Sequence, residues 1–174
     1  MELQVFEKLE HTAYLRQLYN LLEAADQEFI PPLSCRGSTT QQTLSDATSN
    51  GIADYFAEMK QQCFVLALEG QQVAGFMSFK KDYHCDYVPA GRNLYASTSV
   101  VSPDFRGQGL MKKFYLTMIE HYPDRAIYTR TWHENFPHLR VLDQLGFVQI
   151  AELPNHRGPG IHTVYFRRNP NGIR

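Results

Sequence analysis

An excess of charge is missing from this chain: 17 Lys and Arg stand against 18 Asp and Glu, a formal net charge of −1 at pH 7. Nucleic-acid binders normally carry a basic excess or stripe that displaces counterions, so the balance argues against that class of partner. Cysteine is scarce as well. Cys35, Cys63 and Cys85 are odd in number, widely spaced and form no Cys-x-x-Cys pair, which suggests neither a disulfide framework nor a zinc site and fits a reducing compartment. His84 lies between Asp82 and Asp86, but in a polar stretch without recognisable ligand spacing, so a solvated loop is the simpler reading and no metal is expected. No apolar run approaches the roughly 20 residues needed to cross a bilayer, and Met1-Glu2-Leu3-Gln4 lacks a basic-then-apolar signal pattern. A cytoplasmic protein with no membrane partner is therefore expected. Repeats, low-complexity tracts and linkers are missing too, and 174 residues is a one-domain length, so residues 1–174 are read as a single domain.

What is there is a succession of short apolar strands and amphipathic helices. Residues 3–6 alternate as a strand, and Leu15, Leu18, Leu22 and Ala25 recur at helical spacing before Pro31-Pro32 stops the helix. Residues 34–50, rich in Ser, Thr, Gln and Gly, predict a long surface loop or a polar helix, after which Ile52, Phe56 and Met59 share a helical face. Residues 63–68 and 73–79 are β-favouring runs around Glu69-Gly70-Gln71-Gln72, a hairpin signal. After a polar connection over 80–92, the pattern predicts a strand over 93–101, a helix over 110–122 ended by Pro123, and a strand over 126–131. The full helical crossover makes this strand parallel to the one before it. A helix that admits Pro137 near its start and closes at Gly146 precedes strands over 147–151 and 162–167. In their connection, Asn155-His156-Arg157-Gly158-Pro159-Gly160, Gly158 and Gly160 would permit close approach to a ligand at Arg157, but a flexible hairpin tip is the default reading, and Arg167-Arg168 with Arg174 reads as a solvated tail. The sum is an α/β domain with a mixed, mostly antiparallel central sheet of six to seven strands flanked by helices.

The most informative stretch runs from Val100 to Met111, V-V-S-P-D-F-R-G-Q-G-L-M, from a strand through a glycine turn directly into a helix. Gly107 and Gly109 permit backbone conformations closed to other residues, so several N–H groups can converge on one oxyanion with the positive end of a helix dipole behind them. A pyrophosphate would need few charged side chains there. The plain alternative is a strand-to-helix turn that binds nothing.

Arg106-Gly107-Gln108-Gly109-Leu110-Met111 resembles the Q/R-x-x-G-x-G/A signature of GNAT N-acetyltransferases, with Arg106 in the first position, Gly109 in the fourth, and Met111 where glycine or alanine is usual. Glu134-Asn135, followed by a helix ending in Leu145-Gly146-Phe147, is similar to the N…LGF segment of that family. The resemblance implies a GNAT-like fold with a splayed pair of parallel strands. It also implies acetyl-coenzyme A (acetyl-CoA) as co-substrate, and direct attack on it by a primary amine in a ternary complex. In that picture Arg106, Gly107, Gln108, Gly109, Leu110 and Met111 hold the pyrophosphate, and the backbone of Val100 and Val101 meets the pantetheine arm and the thioester carbonyl. Asn135 either hydrogen-bonds the cofactor or caps a helix. Leu142 stands where many members carry a tyrosine that protonates the departing thiolate, which leaves a non-catalytic acyl-CoA sensor as the alternative reading.

His133, Glu134 and Tyr95 are the candidates for proton transfer. His133 and Glu134 follow the strand over 126–131, and each is otherwise a surface or helix-entry residue. Tyr95, Ser97 and Ser99 alternate along their strand, so one face of it would line an acceptor site; Tyr95 is otherwise a core aromatic. Asp26, Glu28 and Arg36 flank Pro31-Pro32, in the region where the resemblance implies that acceptor specificity is shaped. The acceptor implied is a small-molecule or peptide amine, and a homodimer is an assembly common among such proteins.

Overall fold

The computed structural model describes residues 1–44 and 51–170. Along the chain come β1 (Glu2–Phe6), α1 (Thr12–Ala25), α2 (Ile52–Met59), β2 (Cys63–Glu69), β3 (Gln72–Lys81) and β4 (Asn93–Val101). They are followed by α3 (Leu110–His121), β5 (Ala126–Trp132), α4 (Phe136–Gln144), β6 (Val148–Leu153) and β7 (Thr163–Arg168). The strands form one sheet in the order β1-β2-β3-β4-β5-β7-β6. Every neighbouring pair is antiparallel except β4 and β5. The mixed, mostly antiparallel α/β sheet read from the sequence is the one observed.

Helices cover both faces, which explains why β2 and β3 read as continuous apolar runs rather than alternating ones. On one face Phe114 and Met118 of α3 and Leu142 of α4 pack with Val65, Met77, Leu94 and Ile127. On the other, Leu18 and Leu22 of α1 and Tyr55 and Met59 of α2 pack with Phe64, Leu66 and Phe76. Each large side chain buried in this way stabilises the fold by about 1.5–3 kcal/mol relative to leaving it in water. A third cluster, Val88, Tyr95, Tyr128 and Tyr165, fills the space beneath the connection between β3 and β4.

Two irregularities position the site. The parallel pair is joined only from Asn93 opposite Ala126 to Ala96 opposite Thr129. Beyond that point β4 runs on to Val101 and β5 to Trp132 without pairing each other, so the sheet is split. The second irregularity starts the first: Ser78 and Phe79 of β3 oppose Thr98 and Ala96, which leaves Ser97 as the extra residue of a β-bulge. A bulge bends its strand, and this one lies where β4 leaves β5.

Three local expectations change. Arg167 and Arg168 are not a tail; they end β7, and Arg168 Nε donates to the Leu145 carbonyl at 3.0 Å. Arg174 lies outside the described residues. In the polar stretch over 34–50, residues 45–50 also lie outside them, and the rest holds only a short 3₁₀ turn, Leu33–Cys35. Arg157, at the supposed flexible tip, is only 6% exposed, its donors taken by nearby Thr163 and by the distant Ile30 carbonyl. Among the described residues no helix is long and apolar enough to cross a membrane, and no group of three or more His, Cys, Asp or Glu is arranged to hold a metal ion.

Candidate active site

A cleft of about 700 Å³ opens where β4 and β5 separate, lined by residues 96–101 of one strand and 129–132 of the other. The Ser102 N–H donates to the Ala74 carbonyl at 2.9 Å. Backbone groups alternate sides along an antiparallel strand, so the Val100 peptide groups also face β3 while those of Ser99 and Val101 face the split. Of the two valines expected to present backbone to a ligand, Val101 is the one turned to the cleft. Val100 is committed to the ladder, and its side chain to the core.

At the mouth of the cleft stand Arg106, Gly107, Gly109, Leu110 and Met111. Gln108, the remaining residue of the motif, is exposed and off the lining. Gly107 and Gly109 have φ of 76° and 72°, a region that side chains disfavour. A Cβ added at either would meet nothing within 4 Å, so the glycines answer to backbone conformation and the space before them is open. The first main-chain bond of α3 runs from the Lys113 N–H to the Gly109 carbonyl at 3.1 Å. The N–H groups of residues 110–112 therefore have no acceptor within the helix and point out of its positive end. Met111 packs against the core under α3. Arg106 anchors the turn, with Nη2 bonded to both Glu28 carboxylate oxygens at 2.7 and 3.0 Å and Nε to the Val101 carbonyl at 3.2 Å.

The wall formed by α3 and α4 carries a neutral hydrogen-bonded pair. The Tyr115 hydroxyl lies 2.9 Å from His138 Nε2; both residues border the cleft, and the body of Tyr115 is fully buried in the core under α3. Burial pushes the Tyr115 phenol up, with a hydrogen bond to Thr129 working against it, and presses His138 down to about 4. Both are uncharged at neutral pH. Leu142 follows His138 by one helical turn on the same face of α4; Leu142 is fully buried in the core, and His138 borders the cleft.

The residues expected to transfer protons are dispersed. Tyr95 is 1% exposed, packs with Val88, Tyr128 and Tyr165, and does not line the cleft. The bulge at Ser97 reverses the facing of β4, so Tyr95 and Ser99 sit on opposite sides of the sheet. His133 is tied to the start of β7, donating its N–H to the His162 carbonyl at 3.2 Å and accepting the His162 N–H at Nδ1 at 3.1 Å, and it too is off the lining. Glu134 does line the cleft, with His133 Nε2 at 3.8 Å. Asn135 occupies the N-cap position of α4 without a side-chain cap bond; its Nδ2 instead donates to Thr131 Oγ1 at 2.9 Å, and the residue lines the cleft.

The opposite wall holds a feature that Arg36 and the glycine-flanked Arg157 foreshadowed only in part. Arg36, Arg130 and Arg157 are 6%, 9% and 6% exposed, and all three line the cleft. Asp26 accepts both the N–H and the hydroxyl of Ser34 at 2.7 Å, which sets the turn that delivers Arg36. Arg36 donates Nε and Nη2 to the Pro31 carbonyl at 3.0 and 2.6 Å. Arg157 donates Nη1 to the Ile30 carbonyl at 2.7 Å and Nε to Thr163 Oγ1 at 2.9 Å. Arg130 reaches the Tyr165 hydroxyl at 3.2 Å and the Gln41 carbonyl at 2.6 Å. Burial, then the charges of Arg36 and Arg130, press Arg157 down to about 9; Arg36 is lowered chiefly by burial. At Arg130 burial is outweighed by the phenol oxygens of Tyr95 and Tyr165, and the net shift is upward. A signal for Arg130 existed in A-I-Y-T-R-T-W, where a lone charge interrupts a strand of apolar and β-branched residues.

The chain matches the model of the acetyltransferase (GNAT) family over residues 15–147. Among curated proteins none matches. Solved structures share the fold. The aminoglycoside 6'-N-acetyltransferase from Enterococcus faecium has a TM-score of 0.68 at 14% identity, covering 100% of this chain and 98% of that one. An aminoglycoside 6'-N-acetyltransferase complexed with coenzyme A (CoA) gives 0.69 at 15%, covering 100% and 98%. The ribosomal-protein-S18-alanine N-acetyltransferase from Escherichia coli gives 0.64 at 14%, covering 99% and 96%.

Proposed function

The chain belongs to the acetyltransferase (GNAT) family, and we propose that it transfers the acetyl group of acetyl-CoA to a primary amine by direct attack in the split of its sheet. The observation that carries this reading is the open glycine turn at the mouth of the cleft, with the unpartnered N–H groups of residues 110–112 behind it. Those amides and the positive end of α3 suit a pyrophosphate, and Ser99 and Val101 offer backbone groups to a pantetheine arm. When bound, acetyl-CoA supplies the thioester carbonyl that the amine attacks.

The residues then have distinct roles. The Val101 N–H is turned to the cleft, where it can stabilise negative charge on the carbonyl oxygen. Tyr115 stays protonated and, held by His138, donates a hydrogen bond to the departing sulfur. A thiol has a pKa near ~8.5, so such help suffices, and the pair does the work that Leu142 cannot. An alkylamine with a pKa near ~10.4 needs about 4.6 kcal/mol to be unprotonated at pH 7, which makes a proton acceptor the larger requirement. Glu134 is assigned that role, directly or through water. Glu134→Gln should lower kcat/KM about 100-fold at pH 7 and by less at pH 9, where more amine is already neutral; equal deficits at both pH values would remove Glu134 from the assignment.

The reading is tested by following thiol release from acetyl-CoA over a panel of amines and melting with added CoA. A hundredfold excess of CoA over its Kd should stabilise the fold by about 2.7 kcal/mol. Gly109→Val, which places a β-branched residue at φ 72°, should weaken CoA binding about 100-fold through loss of aligned N–H donors. No stabilisation by millimolar CoA in the unmodified protein would overturn the function proposed.

A further inference from the structure

We propose that the acceptor end of the cleft is an oxyanion pocket, in which Arg36, Arg130 and Arg157 clamp a carboxylate, phosphate or phosphonate carried by the amine that is acetylated. This rests on the transferase reading above and narrows its substrate class to small amines bearing an anionic group.

Three guanidiniums are buried on one wall, and among the described residues no carboxylate pairs with any of them. Carbonyl and hydroxyl partners and one ring face each, Phe29 for Arg36, Tyr165 for Arg130 and Trp132 for Arg157, hold these cations in place, with the Asp26 charge acting on Arg36 from beyond ion-pair distance. Burying an uncompensated charge is costly, and three together repel one another. An anion in the cleft removes both penalties. The donors are placed for it, because Arg36 and Arg157 are anchored through Nε and one terminal nitrogen each, and Nη1 of Arg36 and Nη2 of Arg157 donate to no described residue. The two are neighbours, since their anchors are the consecutive carbonyls of Pro31 and Ile30. Planar guanidiniums match oxyanions through paired hydrogen bonds.

The pocket is separate from the glycine turn. Arg130 lies one residue beyond Thr129, the last residue of β5 paired to β4. The turn follows the far end of β4, and five residues of strand at about 3.3 Å each put roughly 17 Å between the two ends. Clustered positive charge also selects the reactive form of the substrate. An amine bound by its anionic end beside three guanidiniums is disfavoured as ammonium, while a polycation is repelled.

The full chain is tested in two ways. N-acetylglycine should raise the melting temperature, whereas N-acetylglycinamide should not; Arg36→Gln and Arg157→Gln should abolish that response, and cut the response to inorganic phosphate to what the glycine turn supplies, while still binding CoA, which reports that they are folded. In turnover, amino carboxylates or aminoalkylphosphonates should exceed the matching amino acid amides about 100-fold in kcat/KM, and a preference between the two anionic series identifies the group carried. Equal or faster turnover of amides or a polyamine, or no response to any anionic probe, overturns the pocket. If CoA fails to bind while the anions still bind through the arginines, the pocket stands and the transferase reading falls. Should the glutamine variants not fold, the comparison of carboxylate with amide in the unmodified protein decides the matter alone.

Discussion

Gly75→Ala should lower the thermal midpoint by roughly 6–12 °C and depress acetyl transfer further than that loss of stability explains. A Cβ at this position in β3 would lie 2.8 Å from the Val100 carbonyl oxygen, 3.1 Å from Val101 Cα and 3.3 Å from Phe114 Cζ. Two of these neighbours are backbone of the adjacent strand, which cannot swing aside as a flexible side chain does. Overpacking a well-filled interior costs about 1–3 kcal/mol, and the upper end applies where main chain must move. At about 2–4 °C per kcal/mol for a chain of this size, the shift in melting follows. The functional part comes from register: Gly75 is paired with Val101, so β4 is displaced at the residue whose N–H faces the cleft. Melting curves and kcat measured on the folded fraction separate the two effects. An alanine variant that melts and turns over like the parent would show that β3 and β4 tolerate a wider spacing there.

The elements that depend on local pattern were legible. Helical periodicity found α1, α2 and α3, and Gly107 and Gly109 marked the turn because positive φ leaves a residue-type signature. What escaped depends on contacts distant in sequence. Period-2 reasoning places Tyr95 and Ser99 on one face, which holds only for an unbulged strand; Ser97 adds one residue and reverses the phase. Arg157 reads as a hairpin tip because its glycine-flanked sequence is turn-like, while its burial comes from the Ile30 carbonyl, 127 residues away. That Leu142 lacks a hydroxyl is plain from the sequence. The pair proposed in its place was invisible because Tyr115 and His138 meet across two helices, 23 residues apart, and neither position is marked by a motif.

That pair gives the second large effect, on both rate and pH dependence. Tyr115→Phe should lower kcat about 10–100-fold with little change in KM, since the lost donor acts on the departing sulfur rather than on bound ground states. His138 supplies the pH signature. Its folded pKa is near 4 against an ordinary 6.5, with burial as the cause, so the folded state binds fewer protons than the unfolded chain between those values. Stability from this group is therefore complete above about pH 6.5 and is lost as pH falls toward 4, by on the order of 2–3 kcal/mol at the acid end. His138→Gln should flatten that part of the melting profile, and its kcat should fall toward that of Tyr115→Phe because the phenol is no longer held. The double variant then loses little more than either single one, as expected of two groups acting through one hydrogen bond. Additive losses would mean that Tyr115 and His138 act on different atoms, and the leaving sulfur would need another donor.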